Sequence, residues 1–279
     1  MLIARLEVLA AALLFSTGGA AIKATGLTSW QVASFRAGIA ALTLLIFVPA
    51  ARGGSWRALA VGVVQAATFV SFVAANKLTT AASAVFLQAS APLFLVLMGP
   101  LLGEKLRRQD TPYIVAIVFG LALLFSGVPE PSATAPDTTL GNIVGAFSGL
   151  MWALTLAGLR WAEQHRATGK EVTAASATMW GNVLACVGCL PLALPVHHAA
   201  PADWAVITYL GVFQVGFAYV FLTRGLGKLS AVEASLLLLL EPALGPLWAW
   251  LAHGEWPGLL VSVGGVIVLA ATTLRALRR

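Results

Sequence analysis

The sequence predicts an all-α polytopic membrane protein: ten transmembrane helices forming two inverted five-helix repeats. Three observations carry this. Hydrophobic residues make up 59% of the 279-residue chain and charged residues only 10%, against roughly 25% charged in soluble proteins. The apolar residues fall in continuous blocks of about 20, enough to cross about 30 Å of hydrocarbon. One long frame also occurs twice, and internal repeats of this kind decide a fold. Lys77 to Glu104 reads KLTTAASAVFLQASAPLFLVLMGPLLGE, and Lys228 to Glu255 reads KLSAVEASLLLLLEPALGPLWAWLAHGE. Both copies open on Lys-Leu, reach a proline midway (Pro92, Pro242) and close on Gly-Glu. The blocks do not alternate in polarity, which argues against a β-barrel.

Hydropathy sets the helices in order. The first runs from Leu6 to Ile22, the second from Ser29 to Pro49 and the third from Trp56 to Ala75. The fourth covers Thr80 to Leu102 and the fifth Pro112 to Gly127. The sixth covers Leu140 to Trp161, the seventh Val172 to Leu194 and the eighth Trp204 to Thr223. The ninth covers Ala231 to Ala252 and the tenth Pro257 to Leu274. The whole chain, 1–279, is thus one transmembrane domain. Residues 1–127 form the first repeat, a Pro-, Ser- and Thr-rich external linker spans 128–139, and 140–279 form the second. Residues 1–21 have the outline of a signal peptide, but the repeat requires them as the first helix.

Charge orients the chain. With the N-terminus in the cytoplasm, inside segments and helix edges hold fourteen of the seventeen basic residues. These run from Arg5, Arg52 and Arg57 through Lys105, Arg107, Arg108, Arg160, Arg166 and Lys170 to Arg224, Lys228, Arg275, Arg278 and Arg279. Outside segments hold Lys23 and Lys77, and Arg36 falls within the second helix. The positive-inside rule therefore places both termini in the cytoplasm. Five helices per half mean that the second half enters from the opposite side, related by an axis in the membrane plane. Gly62-Val63-x-Gln65 in the third helix recurs as Gly211-Val212-x-Gln214 in the eighth. The first two helices of each half match weakly. Inverted repeats suit alternating access, with a substrate site near the midplane.

The net charge of +6 does not point to nucleic acid, because the basic residues sit singly or in small groups at segment ends. Cys186 and Cys189 form a C-x-x-C pair with no second pair to complete a metal site, so they read as small core residues. No cofactor is expected. His197 and His198 read as solvated loop residues. Gly141, Gly145 and Gly149 form a small-residue face for close helix packing.

Polar groups within a bilayer are costly and need a reason. Two roles fit Glu241: a proton-coupling group or ammonium contact, or a carboxyl capping backbone disturbed by Pro242. Glu233, in the first turn of that helix, complements the helix dipole. Gln65 and Gln214 hold matching places, and amides suit a zwitterion because they both donate and accept. They equally suit an interhelical hydrogen bond, worth about 0.6 kcal/mol. Gln88, four residues before Pro92, is expected to line the cavity. Gln65, Phe69, Phe72 and Asn76 form a stripe that reads mainly as packing. Trp30, Trp56, Trp161, Trp204 and Trp256 fit the interfaces, whereas Trp152 is mid-helix and fits a cavity wall. Phe217 and Tyr219 are two residues apart, so one faces the cavity and the other packs. Arg36, about 10 Å into its helix, reads either as an anion contact or, preferably, as a structural residue reaching helix-end carbonyls. The candidate substrate-binding set is Gln65, Phe69, Gln88, Trp152, Gln214, Phe217, Tyr219 and Glu241.

Taken together, the ten helices, the paired repeats, the Phe35-Arg36-Ala37 run, the mid-helix prolines, the Gly-Glu endings and Glu241-Pro242 resemble the EamA family of the drug/metabolite transporter superfamily. Gly216-Phe217-Ala218-Tyr219 and Trp152 are similar to its aromatic amino acid exporter branch. The resemblance implies efflux of amino acids or similar metabolites across a bacterial inner membrane; proton coupling is the role read for Glu241. Small-molecule substrate and membrane lipid are the partners it implies; oligomeric state is open. An exporter of other small or cationic compounds, of multidrug type, is the alternative. From other classes, an intramembrane aspartyl protease lacks paired membrane aspartates, H-E-x-x-H and the P-loop are missing, and no charge ring marks a channel.

Overall fold

The computed structural model describes residues 2–102, 108–127, 130–164, 173–226, 228–229 and 231–277. These hold ten helical spans. They are α1 (Leu2–Ser16, continued as Gly18–Lys23), α2 (Ser29–Phe47), α3 (Trp56–Leu78), α4 (Ala81–Gln88, continued as Ala91–Leu97) and α5 (Thr111–Ser126). After the linker come α6 (Thr138–Gln164), α7 (Ala174–Ala193), α8 (Pro201–Tyr209, Leu210–Phe217 and Ala218–Leu226), α9 (Ala231–Leu238, continued as Leu240–His253) and α10 (Leu259–Leu277). Eight spans are long and apolar enough to cross a membrane; those through Ala81–Leu97 and Thr111–Ser126 are shorter. The Gly103-Glu104 ending and the basic residues Lys105, Arg107, Arg166, Lys170, Arg278 and Arg279 lie outside the described residues.

Local chemistry explains where the helices start. Thr28 caps α2 and Thr173 caps α7, each in a reciprocal capping box. In such a box two orphan N–H groups find partners at once. Thr28 and Thr173 are repeat equivalents, so cap geometry matches helices that the sequence aligned only weakly. Ser55 and Thr80 cap α3 and α4.

Three helices expected to be continuous are broken. The fourth breaks at Ala89–Ser90 and the ninth at Leu239. Each break begins three residues before the mid-helix proline, Pro92 or Pro242. Proline has no N–H for the carbonyl four residues back, and its ring clashes with that carbonyl. The first helix starts at Leu2 rather than Leu6 and breaks at Thr17, whose hydroxyl bonds Leu14 O at 2.7 Å and Tyr209 Oη at 2.8 Å. The eighth is not a uniform α-helix, because Leu210–Phe217 widens to a π-helix. Two glycines make that stretch possible. An added Cβ at Gly211 would stand 2.5 Å from Ile39 Cβ, and one at Gly216 would stand 2.8 Å from Thr43 Cβ. Alpha-helix backbones seldom approach so closely without glycine.

Packing repeats under exchange of the halves. α3 packs on α7 as α8 packs on α2; α3 packs on α6 as α8 packs on α1; α4 packs on α6 as α9 packs on α1. The pairs α2–α7, α4–α9 and α5–α10 meet across the axis. Gly62 lies against Trp180 and Gly181 of α7, as Gly211 lies against Arg36 and Ile39 of α2. The small-residue face of α6 receives α3 and α4: Gly141 abuts Thr79, Gly145 abuts Leu87 and Gly149 abuts the Leu87 carbonyl.

The loops sort onto two faces. On one, the α1–α2 loop, the α3–α4 junction, the linker, the start of α8 and the α9–α10 turn are bound together. Gly26 N donates to Asp203 Oδ1 at 2.9 Å, Asp137 N donates to Leu78 O at 3.0 Å, and Lys23 Nζ reaches Thr79 O and Thr134 O. On the other, Arg5 pairs with Glu233 at 2.5 Å, Arg275 pairs with Asp110 at 3.1 Å, and Thr173 Oγ1 donates to Ala50 O. The start of α1 and the end of α10 thus share a face. Glu233 therefore serves an ion pair between α9 and α1. Trp30, Trp56, Trp161, Trp204 and Trp256 are all exposed on the outer surface, and Cys186 and Cys189 are free thiols packed in α7.

Candidate functional site

The innermost polar cluster joins α3, α7 and α8. Gln65 Nε2 donates to Thr178 Oγ1 at 3.0 Å and to Tyr219 Oη at 3.3 Å. Gln65 and Thr178 are buried, and the Tyr219 ring meets Phe15 of α1 edge-on with centroids 5.3 Å apart. One face of the π-helical stretch positions Gln214, also buried. Its Oε1 accepts from Arg36 Nη1 at 3.4 Å, and its Nε2 points to Phe15 O at 3.5 Å. Gly18 at the α1 break makes room for that amide, since a Cβ there would stand 2.7 Å from Gln214 Nε2. The two matched glutamines therefore lie in equivalent helices, but with different partners.

Glu241 opens the second segment of α9, one residue after Leu240 and directly beside the break. It makes no hydrogen bond among the described residues, so it does not cap the backbone that Pro242 disturbs. Helix α1 links α9 to the cluster: Phe15 meets Tyr219, and Ser16 Oγ accepts from Trp248 Nε1 of α9 at 2.9 Å. Tyr219 and Glu241 are both half-buried.

The other candidates divide. Gln88 sits at the α4 break, half-buried, and donates to Ser148 Oγ of α6 at 3.0 Å. Trp152 is half-buried in α6, three residues beyond Gly149 and so on the face that meets that break. Phe69 is half-buried, and its carbonyl accepts from Arg36 Nη2 at 3.3 Å. Phe217 is not brought to the cluster. It stacks in a row with Phe213, Phe221 and Phe47, at centroid distances of 5.7, 6.3 and 5.1 Å. Phe47 and Phe213 are exposed, so this row faces outward. Of the Phe217–Tyr219 pair, Phe217 packs. In the third-helix stripe, Asn76 is buried and donates to its own helix at Phe72 O, and Phe72 belongs to the core.

Two elements were not singled out from the sequence. Thr178 looked like an ordinary helix residue. The other is the buried ion pair on the face that holds Lys23 and Lys77. Lys23 Nζ lies 3.1 Å from Glu255 Oε2, with both side chains nearly inaccessible. Glu255 Oε1 also accepts from Ala81 N at 2.5 Å, at the start of α4. Lys77 Nζ donates to Thr25 O at 2.6 Å. Two lone lysines opposite a Gly-Glu turn were the available signal. No cluster of three or more potential metal ligands occurs among the described residues, and His197 and His198 are exposed.

Comparison with known proteins agrees with this architecture. The EamA-like transporter family matches twice, over residues 2–126 and 139–276, one match for each half. An uncharacterized transporter of Archaeoglobus fulgidus is 25% identical over 207 residues, covering 74% of this chain and 71% of its own. The uncharacterized transporter YxxF of Bacillus subtilis is 27% identical over 207 residues, covering 72% of this chain and 63% of its own. A solved crystal structure superposes with a TM-score of 0.64 at 21% identity, covering 99% of this chain and 98% of the other; at that identity it speaks for the fold alone. With half-by-half matches spanning nearly the full length, the chain belongs to the EamA-like transporter family of the drug/metabolite transporter superfamily.

Proposed function

We propose that this transporter is a secondary active exporter of amino acids and related small metabolites. It works by alternating access across a bacterial inner membrane, with both termini cytoplasmic and without enzymatic turnover. The observation that carries the reading is the polar cluster Gln65–Thr178–Tyr219 beside Glu241, set where α3 and α4 of one half meet α7, α8 and α9 of the other. Amides, a phenol and a carboxylate in that position offer both donors and acceptors to a zwitterion. Aromatic rings at Phe15, Phe69, Trp152 and Tyr219 offer surface for an apolar or aromatic side chain. The two halves, 1–127 and 140–279, then rock about the shared site, and the linker at 128–139 joins them on the external face.

The sealed face corresponds to the outside in this reading, because it is the face poor in Lys and Arg. The Lys23–Glu255 pair then forms part of the closed external gate. The conformation is one in which substrate leaves or enters from the cytoplasm.

Saturable uptake of labelled amino acids into proteoliposomes, with counterflow, tests the proposal. A transient overshoot driven by unlabelled amino acid supports a carrier. Monotonic, non-saturable flux would identify a channel instead, and counterflow by organic amines alone would favour the multidrug alternative.

A further inference from the structure

We infer that Arg36 is the carboxylate-binding residue of the substrate site, and that the site selects zwitterions over amines. This rests on the amino acid reading above and names the group that recognises one end of the substrate. Arg36 stands in α2 at 3% exposure, far from either helix end. Its guanidinium carries five donors in a fixed fork and stays charged. Among the described residues its guanidinium makes two hydrogen bonds. One goes to Gln214 Oε1 at 3.4 Å and the other to Phe69 O at 3.3 Å. Both acceptors are neutral, and both distances exceed the usual range of N–H···O bonds. No carboxylate lies within ion-pair distance among the described residues.

Buried Lys23, by contrast, has an anionic partner. Lys23 has a carboxylate at 3.1 Å and two backbone carbonyls. A buried guanidinium held by neutral acceptors alone is costly, so an anion completing the site offsets that cost. The location fits a ligand as well. Arg36 hydrogen-bonds Gln214, which holds in α8 the place that Gln65 of the polar cluster holds in α3. The substrate carboxylate thus lies toward α2. Arginine meets a carboxylate with two parallel hydrogen bonds, whereas lysine offers a point charge.

The test uses purified protein in proteoliposomes and three matched pairs: phenylalanine with 2-phenylethylamine, leucine with isopentylamine, and lysine with cadaverine. Competition against a labelled member of each pair gives the acid-to-amine preference. For the wild type, the amino acid should compete at least about tenfold better than its amine, the size of one charge-assisted hydrogen bond. Arg36→Gln should erase that preference, while Arg36→Lys should keep part of it. Amine competition should shift less than about threefold in either variant. If the wild type carries amino acids and Arg36→Gln leaves the preference intact, the inference fails while the proposed function stands. If the wild type carries amines and none of the three amino acids, both fail. Should the variants not fold, thermal stabilisation of wild-type protein decides: equal stabilisation by acid and amine of a pair overturns the inference.

Discussion

Lys23 and Glu255 form a buried ion pair across the two repeats, 3.1 Å apart, with side chains 1% and 6% exposed. The pair joins the end of α1 to the α9–α10 turn, and through Ala81 N it also fastens the start of α4. Removing one partner leaves the other charged and without water. Glu255→Gln should therefore destabilise the protein by about 3–5 kcal/mol. A double replacement, Lys23→Met with Glu255→Leu, should recover most of that loss. Thermal unfolding of the three variants checks it. Equal losses for single and double variants would mean that the pair contributes through packing rather than charge.

Glycine at the helix crossings is required by space. The Cβ position at Gly211 is already 2.5 Å from Ile39 Cβ and 2.9 Å from Arg36 O. Gly211→Ala should cost about 1–3 kcal/mol through overpacking. Gly188 in α7 has nothing within 4 Å of its Cβ position. Gly188→Ala should be neutral or slightly stabilising, since glycine in a helix costs about 1 kcal/mol relative to alanine. Thermal midpoints of the pair separate the two effects.

Glu241 has no hydrogen-bond partner to lose among the described residues. Glu241→Gln should fold normally and weaken any dependence of transport on proton gradients. Initial rates across a pH series, with and without an imposed gradient, measure this. An unchanged pH profile would remove Glu241 from the coupling step.

Trp152 and Phe217 give opposite expectations. Trp152→Ala should alter the competition profile among amino acids, because Trp152 follows Gly149, which abuts Gln88, by three residues on α6. Phe217→Ala should leave the profile unchanged and lower stability modestly, as its ring belongs to the outward row with Phe47 and Phe213. Identical profiles for both variants would argue against a cavity position for Trp152.

Much of the fold was legible before any coordinates. Block length gave the spans, and the Gly-Val-x-Gln echo located Gln65 and Gln214 in equivalent places. The breaks in α4 and α9 were partly legible, because Pro92 and Pro242 were visible but the interruption itself begins three residues upstream. The π-helical stretch was hidden, since Gly211 and Gly216 signal close approach without saying what the backbone does there. Thr178 was invisible as well: a threonine in an apolar helix commonly bonds its own helix. Lys23 and Glu255 lie more than two hundred residues apart, and only tertiary packing brings them together. Arg36 reads from sequence chiefly as a structural arginine, because spacing alone does not reveal which described side chains face it.

Alternating access makes the sharpest demand. With Cys186 and Cys189 replaced, spin labels at Ala24 and Trp256 report the sealed face, and labels at Leu2 and Leu274 report the other. Pulsed electron resonance in lipid should show a short outer distance in the resting protein. On adding a transported amino acid, the outer distance should lengthen in part of the population as the inner one shortens. Distances that stay fixed at both faces while counterflow proceeds would contradict the account.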